Sequence, residues 1–185
     1  MQLLSRLSAL LMLITLSPIF LLICIAILLS SGRPIFYISP RIGRHCKEFR
    51  MFKFRTMHIK TPEIATHLII NPDNYITNLG FFLRKSSLDE IPQLINILIG
   101  DMCFVGPRPA LFNQYDLITY RQKYNVDKLK PGITGLAQIN GRDKISIRRK
   151  VAYDLLYYKS QSIILDLQII LITAKKLINS TDISH

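Results

Sequence analysis

The chain has 185 residues with 24 Lys and Arg against 12 Asp and Glu, a formal net charge of +12, and 49% of it is hydrophobic. That length holds one compact domain plus a membrane segment, the mean hydropathy of +0.26 is high for a soluble protein, and so basic a surface seeks phosphate in nucleotide, nucleic acid or anionic lipid. Cys24, Cys46 and Cys103 are odd in number and form no C-x-x-C pattern, which argues against a disulfide framework and a zinc site and favours a reducing, cytosolic setting.

Leu7 to Leu29, LSALLMLITLSPIFLLICIAILL, is 23 residues without a charge. At ~1.5 Å per residue it is long enough to cross a ~30 Å hydrocarbon core. Ser17-Pro18 interrupts it, and a proline there removes a helix hydrogen bond and crowds the preceding turn. The expectation is two half-helices joined at a bend, a re-entrant unit over residues 1–31 that enters and leaves one leaflet. A kinked spanning helix and a signal peptide are the alternatives, the weak basic n-region and the free cysteines beyond it counting against the signal.

Residues 33–60 carry eight Lys or Arg against Glu48 alone, so the positive-inside rule places this flank in the cytosol. Residues 32–185 are then expected to form a cytosol-facing domain. Ile35–Ile38 and Phe49–Phe54, rich in aromatic and β-branched residues around a turn at Gly43, predict a hairpin. Residues 58–78, broken by Pro62 and Pro72, read as a loop with a helical turn inside. Apolar residues dominate from Leu88 to Ile99 and Gly100 stops the run, which predicts a helix of three turns. VGPRPAL forces a stiff, extended connection, and a helix is expected over Leu111–Tyr124. KPGITGLAQINGR reads as a glycine-punctuated loop. SIILDLQIILITAKKLI is a strongly apolar helix with Lys175 and Lys176 at its end, placed either on the bilayer or in the core.

The chemistry concentrates in SSLDEIPQL, residues 86–94. Ser87-x-x-Glu90 fits a capping box, and Asp89 fits an N-cap with Pro92 in the first turn. An aspartate at a helix start is also held ionised beside a phosphate-gathering dipole, poised as a nucleophile. Glu90 beside it suits Mg²⁺, a hard cation that takes carboxylate and phosphate oxygens together. Lys53 and Arg55 in KFRTM, Arg84 and Lys85 before the acids, Arg108 between two prolines and Arg142 after NG supply cations suited to phosphate.

KFRTM, FFLRKSSLDEIPQLINILIGDM, FVGPRP and PGITGLAQINGR, in this order behind a Ser-Pro-interrupted apolar segment, closely resemble the bacterial sugar transferases known as monotopic phosphoglycosyl transferases, over roughly residues 10–178. The resemblance implies an α+β, mostly helical fold and attack by Asp89 on the β-phosphate of a UDP-sugar. UMP is released, and polyprenyl (undecaprenyl) phosphate then takes the sugar phosphate. Glu90 would be the Mg²⁺ ligand, and Lys53, Arg84, Arg108 and Arg142 would neutralise phosphates. The implied setting is the cytoplasmic face of the bacterial inner membrane, among membrane lipids. Nucleic acid is not an expected partner, since no zinc-finger spacing or RNP-like aromatic motif occurs. The departures from the family pattern are Ser5 for an aspartate, Ser39 for a glutamine, Tyr75 for an arginine and Cys103 for a serine.

Overall fold

The computed structural model describes residues 2–59, 61, 71–141 and 144–179. It is a mixed, mostly helical fold. The apolar run forms two helices, α1 (Gln2–Thr15) and α2 (Ser17–Ser31), bent by 62° at the break. Pro18 has no N–H for the carbonyl of Ile14, four residues back, and the Ser17 hydroxyl donates to that carbonyl at 2.7 Å instead. The Thr15 hydroxyl likewise donates to Leu11 O and Met12 O. The serine and threonine thus bond the carbonyls beside the bend. Among the described residues no single helix is long and apolar enough to cross a membrane, whereas the bent pair together meets both criteria.

β1 (Phe36–Ile42) and β2 (Glu48–Phe54) form the expected hairpin, with longer strands than the aromatic runs alone suggested. Their antiparallel register sets Tyr37 opposite Lys53. The turn at Arg44–Cys46 carries His45 and Cys46 in the left-handed region. Phe20, Phe36 and Phe54 pack ring on ring at its far end and join α2 to the sheet.

α3 (Asn78–Lys85), capped by the Thr77 side chain accepting from Gly80 N at 3.0 Å, leads into a 3₁₀ turn at Leu88–Glu90 and then α4 (Gln93–Ile99). The helix expected from Leu88 therefore starts five residues later. An α-helix would have used the Pro92 N–H on Leu88 O; without that donor the chain tightens to i→i−3 bonds, Ile91 N to Leu88 O and Leu94 N to Ile91 O. The capping box does not form either, because Ser87 sits in the left-handed region and its side chain makes no capping bond.

β3 (Cys103–Val105) follows, and β4 (Ala110–Leu111) adds to the sheet beside β1, giving the order β2-β1-β4. Pairing of Leu111 with Arg41 delays α5 to Tyr115–Lys123, four residues after the expected start. The glycine-punctuated segment is not all loop: β5 (Gly132–Thr134) runs parallel to β3, and α6 (Leu136–Ile139) follows. Its glycines permit close approach, since a Cβ on Gly132 or Gly135 would collide with the backbone of Gly106.

α7 (Ile147–Ser160) and α8 (Ile163–Asn179) close the fold. Val151, Tyr157 and Ile169 are buried with Val105, Leu117 and Val126 in one core, while Ile163, Ile164, Leu167 and Leu171 of α8 remain exposed. The last helix thus completes the core with one face and leaves an apolar face uncovered. α1 packs through fully buried Ala9 onto Leu94, Ile97 and Met102, and Arg6 Nη2 donates to Ile99 O over Gly100, where a Cβ would collide with the guanidinium.

Candidate active site

The 3₁₀ turn at Leu88–Glu90 presents its two carboxylates toward β2. Asp89 is only 3% exposed. Lys53, near the end of β2, places its ammonium 2.7 Å from Glu90 Oε1 and 3.7 Å from Asp89 Oδ2, so one cation serves both acids. Arg108 Nη1 stands 3.7 Å from the same Glu90 oxygen. Adjacent carboxylates repel at low local dielectric, and facing cations offset that repulsion.

Arg84, in the last turn of α3, donates from Nε to Thr56 Oγ1 at 3.1 Å and from Nη2 to Met57 Sδ at 3.5 Å. Burial draws its guanidinium below the ordinary value, the negative charge of Asp89 opposes that shift and the positive charge of Arg108 adds to it. Arg84, Asp89 and Arg108 therefore share one electrostatic neighbourhood.

Of the cations expected from the sequence, Lys53, Arg84 and Arg108 gather at the acidic pair. Arg55 is placed differently. Its buried guanidinium donates to Ser31 O (2.7 Å), Gly32 O (2.8 Å), Ser31 Oγ (3.0 Å) and Arg33 O (3.2 Å), which engages the carbonyls at the end of α2. That is a helix C-terminal clamp, a role suited to a cation with a forked donor set. Arg142 lies outside the described residues.

Two residues that pattern reading missed hold Arg108. Arg121 of α5 donates from Nη1 to Arg108 O at 2.8 Å, while its Nη2 and Nε reach Asp154 Oδ2 of α7 at 2.8 and 3.1 Å. Burial raises the Asp154 carboxyl above its usual range, and Arg121 opposes the shift. The pair spans 33 residues of sequence, so no local signal announces it. Cys103 has a polar role: Sγ donates to Val105 O at 3.0 Å, and burial pushes the thiol up to about 12.

Among the described residues no group of three or more His, Cys, Asp or Glu side chains is arranged to hold a metal. Two adjacent carboxylates do fit Mg²⁺ that arrives with a diphosphate, because that ion commonly takes one or two protein carboxylates and completes its shell with phosphate oxygens and water.

The geometry is that of an acidic pair framed by cations beside an apolar, bent N-terminal segment. The bacterial sugar transferase family profile matches residues 2–180, and the chain belongs to that family. The sugar transferase EpsL of Bacillus subtilis is 40% identical over 97% of this chain and 88% of its own. The exopolysaccharide production protein ExoY of Rhizobium meliloti is 38% identical over 89% and 79%. A UDP-glucose:undecaprenyl-phosphate glucose-1-phosphate transferase of Escherichia coli is 37% identical over 91% of this chain, which covers 38% of that longer protein.

Because Arg55 clamps the end of α2, Arg55→Lys, which cannot span four acceptors with one planar fork, lowers stability by roughly 1–3 kcal/mol. The KM for substrate stays near wild type. Thermal unfolding in detergent and initial rates check both; a large rise in KM at unchanged stability would assign Arg55 to phosphate binding instead.

Proposed function

We propose that this chain transfers a sugar-1-phosphate from a UDP-sugar to a polyprenyl phosphate by double displacement on Asp89, at the cytoplasmic face of the bacterial inner membrane. The observation that carries the reading is the buried Asp89 beside Glu90, with the Lys53 ammonium against both, in a chain of the sugar transferase family. The names of relatives described as UDP-glucose:undecaprenyl-phosphate glucose-1-phosphate transferases support the substrate class.

In the first half-reaction an Asp89 carboxylate oxygen attacks the β-phosphorus of the donor. The bond from that phosphorus to the bridging oxygen breaks, UMP leaves with the bond's electron pair, and the sugar phosphate remains on Asp89. In the second, a phosphate oxygen of the polyprenyl phosphate attacks the same phosphorus and the Asp89 carboxylate departs, regenerating the enzyme. Splitting one exchange between two anions into two steps suits a nucleophile already surrounded by cations. Lys53 orients Asp89 and offsets the charge of Glu90; Arg84 and Arg108 receive the negative charge of the diphosphate. Glu90 would hold Mg²⁺, which supplies neutralisation of the diphosphate.

The re-entrant reading of residues 2–31 is supported by both ends of the bent pair meeting the catalytic body. Arg6 and Gln2 at one end reach Ile99 O and Lys130 Nζ, and Ser31 and Gly32 at the other are clamped by Arg55. A straight span would put the two ends on opposite sides of the bilayer, where one compact body could not hold both. Exposed Leu21, Leu22 and Leu29 on α2, with the apolar face of α8, are the surfaces that lipid would cover.

Purified protein with a UDP-sugar panel, undecaprenyl phosphate and Mg²⁺ is expected to release UMP with at least one donor. Excess chelator should abolish release and added Mg²⁺ restore it, while Glu90→Gln should lower turnover. Absence of UMP with every donor would reject the class, and full turnover in chelator would remove Glu90 from a metal role. For topology, Gln2→Cys in a background lacking Cys24, Cys46 and Cys103 should resist a membrane-impermeant thiol reagent in intact cells and react after lysis. Labelling of intact cells would establish a spanning segment.

A further inference from the structure

Asn96 of α4 has no exposed surface, yet its side chain is polar, and both ends of that side chain are bonded to β2. Oδ1 accepts from Phe52 N at 3.0 Å and Nδ2 donates to Arg50 O at 2.7 Å. β2 is the edge of its sheet, so these two outward backbone groups have no neighbouring strand. One carboxamide supplies the acceptor and the donor that a further strand would have brought. The main-chain oxygen of Asn96 in turn accepts from Gly100 N (3.1 Å), Asp101 N (2.9 Å) and Met102 N (3.2 Å), which fixes the end of α4.

Burial alone does not require this residue. Leu94 and Ile97 on the same helix are buried as hydrocarbon, whereas a carboxamide in that setting is costly unless both of its bonds are made. What the two bonds add is register, in both translation and rotation, between α4 and β2. Lys53 is the residue after Phe52, and Glu90 lies three residues before α4 begins. A helix free to slide along the strand would change the 2.7 Å and 3.7 Å separations between the Lys53 ammonium and the two carboxylates.

We propose that Asn96 is a positioning residue for the transfer reaction: its carboxamide locks α4 to β2 and thereby holds the Lys53 ammonium against Asp89 and Glu90. The inference rests on the reading of that acidic pair as the reacting centre. It acts through Lys53, and it sets the rate of the chemical step in molecules that are already folded.

The test is a double-mutant cycle between positions 96 and 53, read as kcat and KM from UMP release. The donor is whichever of UDP-glucose, UDP-galactose, UDP-N-acetylglucosamine and UDP-N-acetylgalactosamine turns over fastest. Asn96→Asp keeps volume and acceptor but sets a carboxylate oxygen against the Arg50 carbonyl. Asn96→Ala, which removes both bonds without that repulsion, is measured beside it, each well below its own unfolding midpoint. Displacing a reacting group by an ångström costs up to about 100-fold in rate, so kcat should fall by about 10- to 100-fold with KM within about twofold of wild type. In a Lys53→Met background the same substitutions should cost less than about threefold more, because the group they misplace is gone. Folded Asn96 variants with wild-type kcat, or losses that multiply fully with Lys53→Met, would overturn the inference while leaving the acidic pair in place. A Lys53→Met variant as active as wild type would overturn the assignment of the site, and the inference with it.

Discussion

Two adjacent carboxylates, one of them almost wholly buried, require a cation beside them, and the Lys53 ammonium 2.7 Å from Glu90 and 3.7 Å from Asp89 meets that requirement. Removing such a partner leaves buried negative charge without compensation, which is strongly destabilising. The acids belong to a turn and the lysine to a strand, 37 residues apart. Much of the surrounding architecture serves to hold those two elements together. The β1–β2 hairpin fixes the strand, the left-handed Ser87 and Pro92 fix the turn, and α4 packs back along β2. Arg121, held by Asp154, fixes the third side by donating to the Arg108 carbonyl of the Pro-Arg-Pro segment.

The same helix that follows the acidic pair receives α1. Ala9 packs flat against Leu94 and Ile97, and Arg6 sits over the end of α4, where carbonyls carry partial negative charge. At the other end of the bent pair, Arg55, two residues beyond Lys53, engages the last carbonyls of α2. The apolar segment is thus tied to the site twice, through the helix after the acids and through the strand that carries the lysine. A bilayer around α1 and α2 would lie beside the acidic turn, which suits the proposed reaction between a soluble nucleotide and a lipid phosphate.

Local physics made some of this legible in the sequence. Pro18 predicted the break, because a missing N–H acts within four residues; the carbonyl it frees, Ile14 O, is taken by the Ser17 hydroxyl. The aromatic and β-branched runs predicted the hairpin for the same reason. The acidic pair and three of its cations were legible as motifs. What escaped depends on distant contacts. Arg55 reads as one more basic residue until the carbonyls of Ser31 and Gly32 are seen around it. β5 read as loop because three residues beside glycines carry no strand period, and the parallel partner Cys103–Val105 lies outside any local window. Pro92 suits a first helical turn by its fixed φ, whereas its missing N–H shifts the α-helix past it.

The central claim is that Asp89 carries the sugar phosphate between donor and acceptor. Intact-mass spectrometry of the protein incubated with its UDP-sugar and Mg²⁺, without lipid acceptor, tests it most directly. The account predicts one sugar-phosphate adduct on the peptide containing Asp89, absent in Asp89→Asn and discharged by undecaprenyl phosphate. An active enzyme that never forms the adduct, with initial-rate patterns demanding a ternary complex, would contradict it.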